Sequence, residues 1–322
     1  MTTAPPTEAP PDAGPATSAR PELDPQPVAP AKAIKERPPP MGAGTHLVRT
    51  ILVVVFVLTA AMTLHAVFLS SLQQRSAQQE LLDRYRLELA NQTAPTGPLS
   101  ADGEILPVGT PVAYLEIPDI GVKQVVVSGT SSRAMFDGPG HRRDSVLPGQ
   151  AGVSVIMGRS AMFGGPFGDI GSLDKGDRIT VTTGTGTFTY QVLAVRHEGD
   201  AVPPAAKNDE SRVVLTAADG APFLPSGVVR VDAAMEGKAE AGPGRLFAAD
   251  ELPMAERTMA GDTSQLWALA FWLEALILVA VGAVWAWHRW GHPQAWIAFL
   301  PPLLLVGLAV ANQAARLLPN MM

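Results

Sequence analysis

Three nearly continuous apolar runs divide the chain and leave one central stretch for a soluble fold. They lie within residues 46–70, 265–288 and 294–312. A helix of about 20 residues, rising about 1.5 Å per residue, crosses a hydrocarbon core of roughly 30 Å. The sequence therefore predicts one transmembrane helix on the N-terminal side of the central stretch and two on its C-terminal side.

Charge around these runs predicts their orientation. Lysine and arginine cluster before the first run and mix with acids after it, and the turn His288–His292 between the last two runs is also basic. Because positively charged loops stay in the cytoplasm, we expect a cytoplasmic N-terminus and an extracytoplasmic central stretch. The first run has no small-residue cleavage site after it, which favours an anchor over a removed signal peptide. The expected location is the cell membrane, with a multi-pass topology.

The remaining segments outside the central stretch are tails and linkers by composition. Residues 1–45 carry twelve of the thirty prolines, which predicts a disordered cytoplasmic tail, either a plain spacer or a docking segment for a proline-binding partner. Residues 71–107 start with helical spacing and end in Pro and Gly. They indicate a helix, either a solvated stalk or a dimerising surface, and then a linker. Residues 236–264 are predicted to be a second linker.

Residues 108–235 contain short β-branched runs bounded by Gly and Pro, which is typical of strands. The runs Arg178–Thr183 and Thr187–Val195 are joined through Gly184–Gly186 and predict a hairpin. At least seven such strands are expected, and this number suits a small closed barrel. The predicted fold class is therefore mainly β, a closed β-barrel domain flanked by transmembrane α-helices.

The central stretch resembles the sortases, membrane-anchored cysteine transpeptidases that attach exported proteins to Gram-positive cell envelopes. The motifs that carry this resemblance occur in the family's order: Tyr114–Pro118, Ser128–Thr130, Gly138–His141, Leu147–Gln150, Val155–Gly158, Gly165–Phe167, Lys175–Asp177 and Val214–Thr216. In sortases the residue after Val-Ile-x-Gly is the catalytic His, and a Thr-Leu-x-Thr-Cys segment supplies the nucleophile. The resemblance also implies a sortase-like closed barrel.

The residues that the resemblance makes catalytic are replaced in this chain. Arg159 stands at the position of the His, Ala218 at that of the Cys, and the chain has no cysteine. Sortase chemistry needs a thiolate nucleophile, a proton-transferring His and an oxyanion-binding Arg. An arginine stays protonated and cannot transfer the proton. Arg230 is an uncertain match for the family's Arg, because it lies within Val228–Val231 rather than at the start of the last strand.

The candidate binding cleft consists of Arg159, Thr216, Ala218 and Arg230. Arg159 could hold a carboxylate or phosphate, pair with Asp219, or point into water. Ala218 marks a lost nucleophile or widens the cleft for a bound peptide. Among the nearby hydroxyl groups, that of Thr216 is the first candidate for a replacement nucleophile, and no evident base accompanies it in the sequence.

Composition and motifs restrict the other partners. The net charge of −6 gives no basic footprint for nucleic acid, and neither a metal-ligand spacing nor a phosphate-binding loop occurs, so we expect no cofactor and no metal. Glu274 lies within the second apolar run, where a carboxylate is costly unless it is protonated or partnered. It marks either a contact or a protonated acid near the interface.

The sequence therefore favours a catalytically inactive sortase-like membrane protein. Its barrel is expected to bind a peptide or to scaffold envelope-protein assembly, with an exported or envelope protein, or another sortase, as partner. One alternative is an active transpeptidase or hydrolase with a non-cysteine nucleophile. Another is a membrane module in which the spans act and the barrel is an outer cap.

Overall fold

The computed structural model describes residues 48, 52, 56, 59–100, 102–207, 209–242, 247–248, 250–290 and 292–322. The chain divides into the units Met1–Ile51 and Leu52–Met322. The strands and helices described here all belong to the second unit. The predicted tail, residues 1–45, lies outside the described residues. So does much of the predicted first span, residues 46–70.

Eight strands form a closed barrel in the order β1-β2-β3-β4-β7-β8-β6-β5. Their bounds are β1 (Pro111–Ile117), β2 (Val122–Ser128), β3 (Gly140–His141), β4 (Gly152–Met157), β5 (Arg178–Thr183), β6 (Thr187–Arg196), β7 (Ser211–Ala221) and β8 (Leu224–Met235). The β1–β5 pairing closes the ring. The closed barrel predicted within residues 108–235 is therefore confirmed, and the two-residue β3 is a strand that the sequence pattern did not indicate.

Alternating residues of β7 and β8 face the inside of the barrel and its outer surface. Val213, Leu215 and Ala217 of β7 are buried in the barrel core, together with Val229 and Val231 of β8. Because successive side chains of a strand point to opposite faces, the residues between them point outward. This alternation places Thr216 and Ala218 on the outer surface of the barrel wall.

A helical segment precedes the barrel and packs along its side. It includes the π-helical turn His65–Leu69 and helix α1 (Ser70–Ala90). The Tyr85 side chain is fully buried, and its hydroxyl lies 3.2 Å from the carbonyl oxygens of Val112 and Thr182. The structure thus differs from the predicted solvated stalk, because aromatic burial and hydrogen bonding to the barrel backbone hold α1 against β1 and β5.

Two long apolar helices follow the barrel, α2 (Leu266–Arg289) and α3 (His292–Leu317). Two 25-residue stretches that largely coincide with these helices, Thr263–Trp287 and Pro293–Leu317, are long and apolar enough to cross a membrane. These helices match the two C-terminal spans predicted from the sequence, and α3 continues through Pro301 and Pro302. No third candidate span occurs within the described residues, so the predicted N-terminal helix is not supported.

Part of the predicted linker 236–264 packs on the barrel instead of running free. The Glu256 side chain is buried, and it forms an ion pair with Arg143 in which Nε and Oε2 are 3.0 Å apart. The Thr130 hydroxyl donates to the Glu256 carbonyl at 2.6 Å. The weak apolar pattern of residues 236–264 predicted a linker. The ion pair between Glu256 and Arg143 instead holds this part of it against the barrel.

Candidate functional site

Arg159 follows the end of β4 and is held there by tight packing. The Gly158 amide donates to the Thr216 carbonyl at 2.9 Å, which extends the β4–β7 pairing by one residue. A Cβ atom at Gly158 would lie 2.3 Å from the Phe167 ring, so only glycine fits between the strand and this ring. The strand and the ring together fix the direction in which Arg159 leaves the sheet.

The Arg159 guanidinium is buried and is surrounded by main-chain oxygen atoms and a hydroxyl group. Its side chain is 1% exposed. Nε donates to the Met135 carbonyl at 3.3 Å and Nη1 to the Met322 carbonyl at 2.9 Å. Nη2 donates to the carbonyl and the hydroxyl of Ser132, at 3.0 and 2.8 Å. Among the described residues, no Asp or Glu side chain pairs with Arg159.

Two phenylalanine rings complete the surroundings of this guanidinium. The Arg159 Cζ lies 5.0 Å from the ring centroid of Phe136 and 5.1 Å from that of Phe163, and the two rings stack at 3.9 Å. Burial lowers the pKa of Arg159 to about 9, so the group remains a cation at neutral pH. Aromatic faces and oriented carbonyl dipoles therefore stabilise the charge.

The other cleft candidates lie on one outer face of neighbouring strands. Thr216 pairs with Met157 of β4 and with Arg230 of β8, and Ala218 pairs with Val228. Cross-strand partners share a face of the sheet. The register settles the position of Arg230 opposite Thr216, where it is half-buried and makes no hydrogen bond or ion pair with the described residues.

Residues 318–322, which follow α3, cover this face. The Met321 side chain is fully buried and packs in one cluster with Ala218, Val228, Met135 and Met157. The neighbouring residue Met322 accepts the hydrogen bond from Arg159. Arg159 and Ala218 therefore contact consecutive residues of the same chain segment. We call the surface formed by Arg159, Thr216, Ala218, Val228 and Arg230 the outer groove.

Two of the alternatives predicted for Arg159 disagree with its contacts. Arg159 is neither exposed to water nor paired with Asp219, because Asp219 Oδ2 lies 2.7 Å from Nδ1 of His197. That histidine is half-exposed, and the hydrogen bond with Asp219 raises its pKa.

None of the hydroxyl groups near the groove has a histidine base among its described hydrogen-bond partners. Ser160 donates to the Met321 carbonyl at 3.3 Å, whereas Ser211 faces the inside of the barrel, where its hydroxyl lies 3.0 Å from that of Tyr190. His141 lies in β3, where Nε2 is 2.8 Å from the Val146 carbonyl and 3.2 Å from the Ser145 hydroxyl. Ser145 in turn donates to the Arg142 carbonyl, which indicates a structural network.

Within the described residues, Glu274 has no polar partner and no metal-binding cluster is found. Glu274 is exposed on α2 and forms no hydrogen bond or ion pair with the described part of the chain. A search of the described residues finds no cluster of His, Cys, Asp and Glu that could hold a metal ion.

Sequence patterns missed the residues that fill the groove. Ser132 and Phe163 lie in turns, and Phe136 lies in the short 3-10 helix Ala134–Phe136, so no strand periodicity marks them. The segment Leu318–Met322 is too short for a periodic pattern. Pro319 was its one usable signal, because the residue before a proline disfavours helical backbone, and α3 ends at Leu317.

Residues 115–221 match the family model of the sortase domain. This part of the barrel is similar to the sortase domain. The chain is also 28% identical over 110 residues to Sortase D of Bacillus subtilis, an alignment that covers 34% of this chain and 54% of that protein. The chain therefore spans about half the length of this curated relative.

Solved sortase structures are also similar to this chain. A Sortase D5 transpeptidase of Clostridium perfringens is 20% identical, with a TM-score of 0.42 over 50% of this chain and 99% of that chain. Sortase E1 of Streptomyces coelicolor, solved with a tripeptide in the active site, is 21% identical, with a TM-score of 0.35 over 41% and 91%.

Proposed function

We propose that this chain is a non-catalytic sortase-like membrane protein that binds a peptide segment of an exported or envelope protein in the outer groove. The observation that carries the proposal is that a stretch of peptide already lies on this groove, between Arg159 and Ala218. The groove offers a cation for main-chain oxygen atoms and an apolar floor for a side chain, which are features that recognise an extended apolar peptide.

The absence of a cysteine from the sequence supports the non-catalytic part of the proposal. Ala218 has no group that can be acylated, and the Arg159 cation cannot accept a proton from a nucleophile. The described hydroxyl groups near the groove lack a histidine partner. The chain thus retains the surface of the sortase-family domain without the groups that cleave a peptide bond.

The two apolar helices support a membrane location, and their connection to the groove supports a topology. We propose that α2 and α3 cross the membrane and that the barrel lies on its extracytoplasmic side. Residues 318–322 follow α3 directly and contact the barrel, so the end of α3 lies on the same side as the barrel. The basic turn between α2 and α3 then lies on the cytoplasmic side.

The test measures binding and cleavage with the full chain purified in detergent. A fluorescent peptide that carries a cell-wall sorting motif is mixed with the natural chain and with Met321→Asp, since residues 320–322 cover the groove in the natural chain. We expect binding without cleavage, and loss of binding in Ala218→Trp, whose indole fills the groove. Absence of binding to both proteins would overturn the proposal. Cleavage that Thr216→Ala abolishes would show an enzyme.

A further inference from the structure

Residues 320–322 make hydrogen bonds of the kind that a bound peptide ligand makes. The Asn320 amide donates to the Ala260 carbonyl at 2.9 Å, and the Ser160 amide donates to the Met321 carbonyl at 2.9 Å. Arg159 donates to the Met322 carbonyl. Three consecutive residues thus use main-chain groups to contact the barrel and the segment that precedes α2.

Side chains of the same residues add specificity. The Asn320 Nδ2 donates to the Thr130 carbonyl at 2.7 Å and to the Arg257 carbonyl at 2.9 Å. Asn320 and Met321 are both fully buried. The Met321 thioether therefore packs in the apolar part of the groove, and the side-chain amide of Asn320 donates to two backbone oxygens beside it.

The end of α3 is fixed to the same region, which orients the segment. Ala315 packs in a cluster with Ala66, Phe136, Met162 and Phe163, and two of these residues are the rings that contact Arg159. Just beyond α3, Pro319 prevents the helix from continuing. The chain consequently turns from the apolar helix into the groove within a few residues.

Arg159 explains why an occupant is needed at this place. A buried cation is costly unless hydrogen bonds satisfy its donors. The Met135 and Ser132 oxygens satisfy Nε and Nη2, whereas Nη1 is satisfied by the Met322 carbonyl. An empty groove would leave this N–H without a protein acceptor. The site therefore favours any peptide that presents a carbonyl or carboxylate oxygen there.

We infer that residues 318–322 form a groove latch, an intrachain peptide ligand that occupies the outer groove and ties the α2–α3 hairpin to the barrel. This inference rests on the proposed function, because an external peptide binds only when the latch leaves. The groove thus has a built-in competitor of the sequence Leu-Pro-Asn-Met-Met, and binding of a partner is coupled to release of the membrane hairpin from the barrel.

The natural chain has no cysteine, so paired cysteines report the position of the latch directly. The full chain with Ala218→Cys and Met321→Cys is treated in detergent with a short thiol-specific crosslinker, and products are separated by mass. The matched control pairs Ala218→Cys with Leu305→Cys, which lies exposed on α3. We expect an intrachain crosslink in the first pair only.

The other outcomes of the crosslinking experiment overturn the latch. A crosslink that joins two chains would show that the groove takes this segment from a second copy. No crosslink, or an equal yield in the control pair, would show that residues 318–322 lie elsewhere. Neither result depends on whether an external peptide binds, so failure of the latch is distinguishable from failure of the proposed function.

A competition experiment then tests the consequence for binding. The probe is the fluorescent peptide Leu-Leu-Pro-Asn-Met-Met, which has the sequence of residues 317–322. A peptide can bind only those molecules in which the latch has left the groove, so its apparent affinity is proportional to that open fraction. We therefore expect binding to the Met321→Asp chain to be roughly tenfold tighter, or more, than binding to the natural chain. Met254→Asp, at an exposed methionine, is the control and should bind like the natural chain.

Each result of this competition has a separate meaning. Equal affinity for the natural chain and Met321→Asp would overturn the latch as a competitor. An intrachain crosslink together with binding of the hexapeptide, but not of the sorting-motif peptide, to the opened groove would leave the latch intact and reject the proposed function. If neither peptide binds, the segment is a permanent part of the barrel wall, and both the latch and the proposed function are rejected.

Discussion

Two arginines of the barrel, the partly buried Arg143 and the buried Arg159, satisfy their charge in different ways. Arg143 binds the carboxylate of Glu256 through both Nε and Nη2, and its Cζ lies 5.4 Å from the Phe247 ring. Arg159 contacts two aromatic rings as well, but its hydrogen-bond acceptors among the described residues are main-chain oxygens and the Ser132 hydroxyl. The first charge pairs with an acidic side chain, and the second is held by main-chain and hydroxyl oxygens.

This difference separates a structural site from a site that can exchange its ligand. A buried ion pair is costly to break, because the remaining charge is left without a partner. A carbonyl that accepts from a cation can be exchanged for another carbonyl at small cost. Arg143 is therefore expected to fix residues 254–257 permanently, whereas Arg159 suits a groove whose occupant changes.

The largest expected effect is the loss of the Arg143 ion pair. Arg143→Met leaves the Glu256 carboxylate buried and unpaired, which should lower the free energy of unfolding by about 3–5 kcal/mol. Urea denaturation of the full chain in detergent measures it. The double variant Arg143→Met with Glu256→Leu should recover most of the loss, and Arg178→Met, at an exposed arginine, should change little. A double variant no more stable than the single one would contradict the ion-pair explanation.

A third buried base extends the comparison to pH. His141 is buried, and its ring lies against the neutral carbonyl of Val146. Burial lowers the pKa of His141 to about 4, although the hydrogen bond with Val146 and the charge of Asp144 act in the opposite direction. The unfolded chain binds this proton near pH 6.5, so stability is retained above that pH and falls as pH decreases toward 4. The lost contribution is up to about 3 kcal/mol.

The measurement compares the natural chain with His141→Gln at pH 7, 5.5 and 4.5. Glutamine keeps an N–H that can donate to the Val146 carbonyl but has no proton to bind in this range. The difference in stability between the two proteins should therefore shrink as pH decreases. A difference that is constant with pH would show that His141 titrates alike in the folded and unfolded chain.

Loss of the Arg159 side chain should have a smaller effect than loss of Arg143. Arg159→Met leaves main-chain oxygens without a donor rather than a buried acidic side chain, so we expect a loss of about 1–3 kcal/mol. The Ser160 amide, which donates to the Met321 carbonyl, should also exchange its hydrogen faster as the latch loosens. Arg230→Met is the control, since Arg230 lies in the same groove. A loss larger than that of Arg143→Met would break the comparison.

The sequence predicted the barrel better than its surroundings, and the reasons are physical. The predicted strands Arg178–Thr183 and Thr187–Val195 carry local β-branched patterns and a glycine turn, so their predicted bounds agree with the structure to within one residue. The packing of α1 depends on single long-range contacts, such as the Tyr85 hydroxyl with Val112. A mixed polar surface gives no local sign of such a contact.

The candidate site shows the same division. Family motifs marked Arg159 and Ala218, and the β7–β8 register places Arg230 across from Thr216. The occupant of the groove comes from residues that are about 100 positions or more away along the chain. No spacing rule connects Met321 with Ala218, because their contact depends on the complete path of α2 and α3.

The smallest expected effect concerns an exposed base, where the partner is a carboxylate but solvent screens the pair. Asp219→Asn removes the charge that raises the pKa of His197, so this pKa should decrease toward its ordinary value. NMR titration of the histidine ring signals in the full chain measures the change. Stability should stay within about 0.5 kcal/mol, because exposed ion pairs contribute little. A loss of stability as large as that of Arg143→Met would show that a carboxylate partner contributes to stability whether or not the pair is buried. A decrease in the His197 pKa without loss of stability would show that burial, and not the carboxylate alone, accounts for the difference between the two arginines.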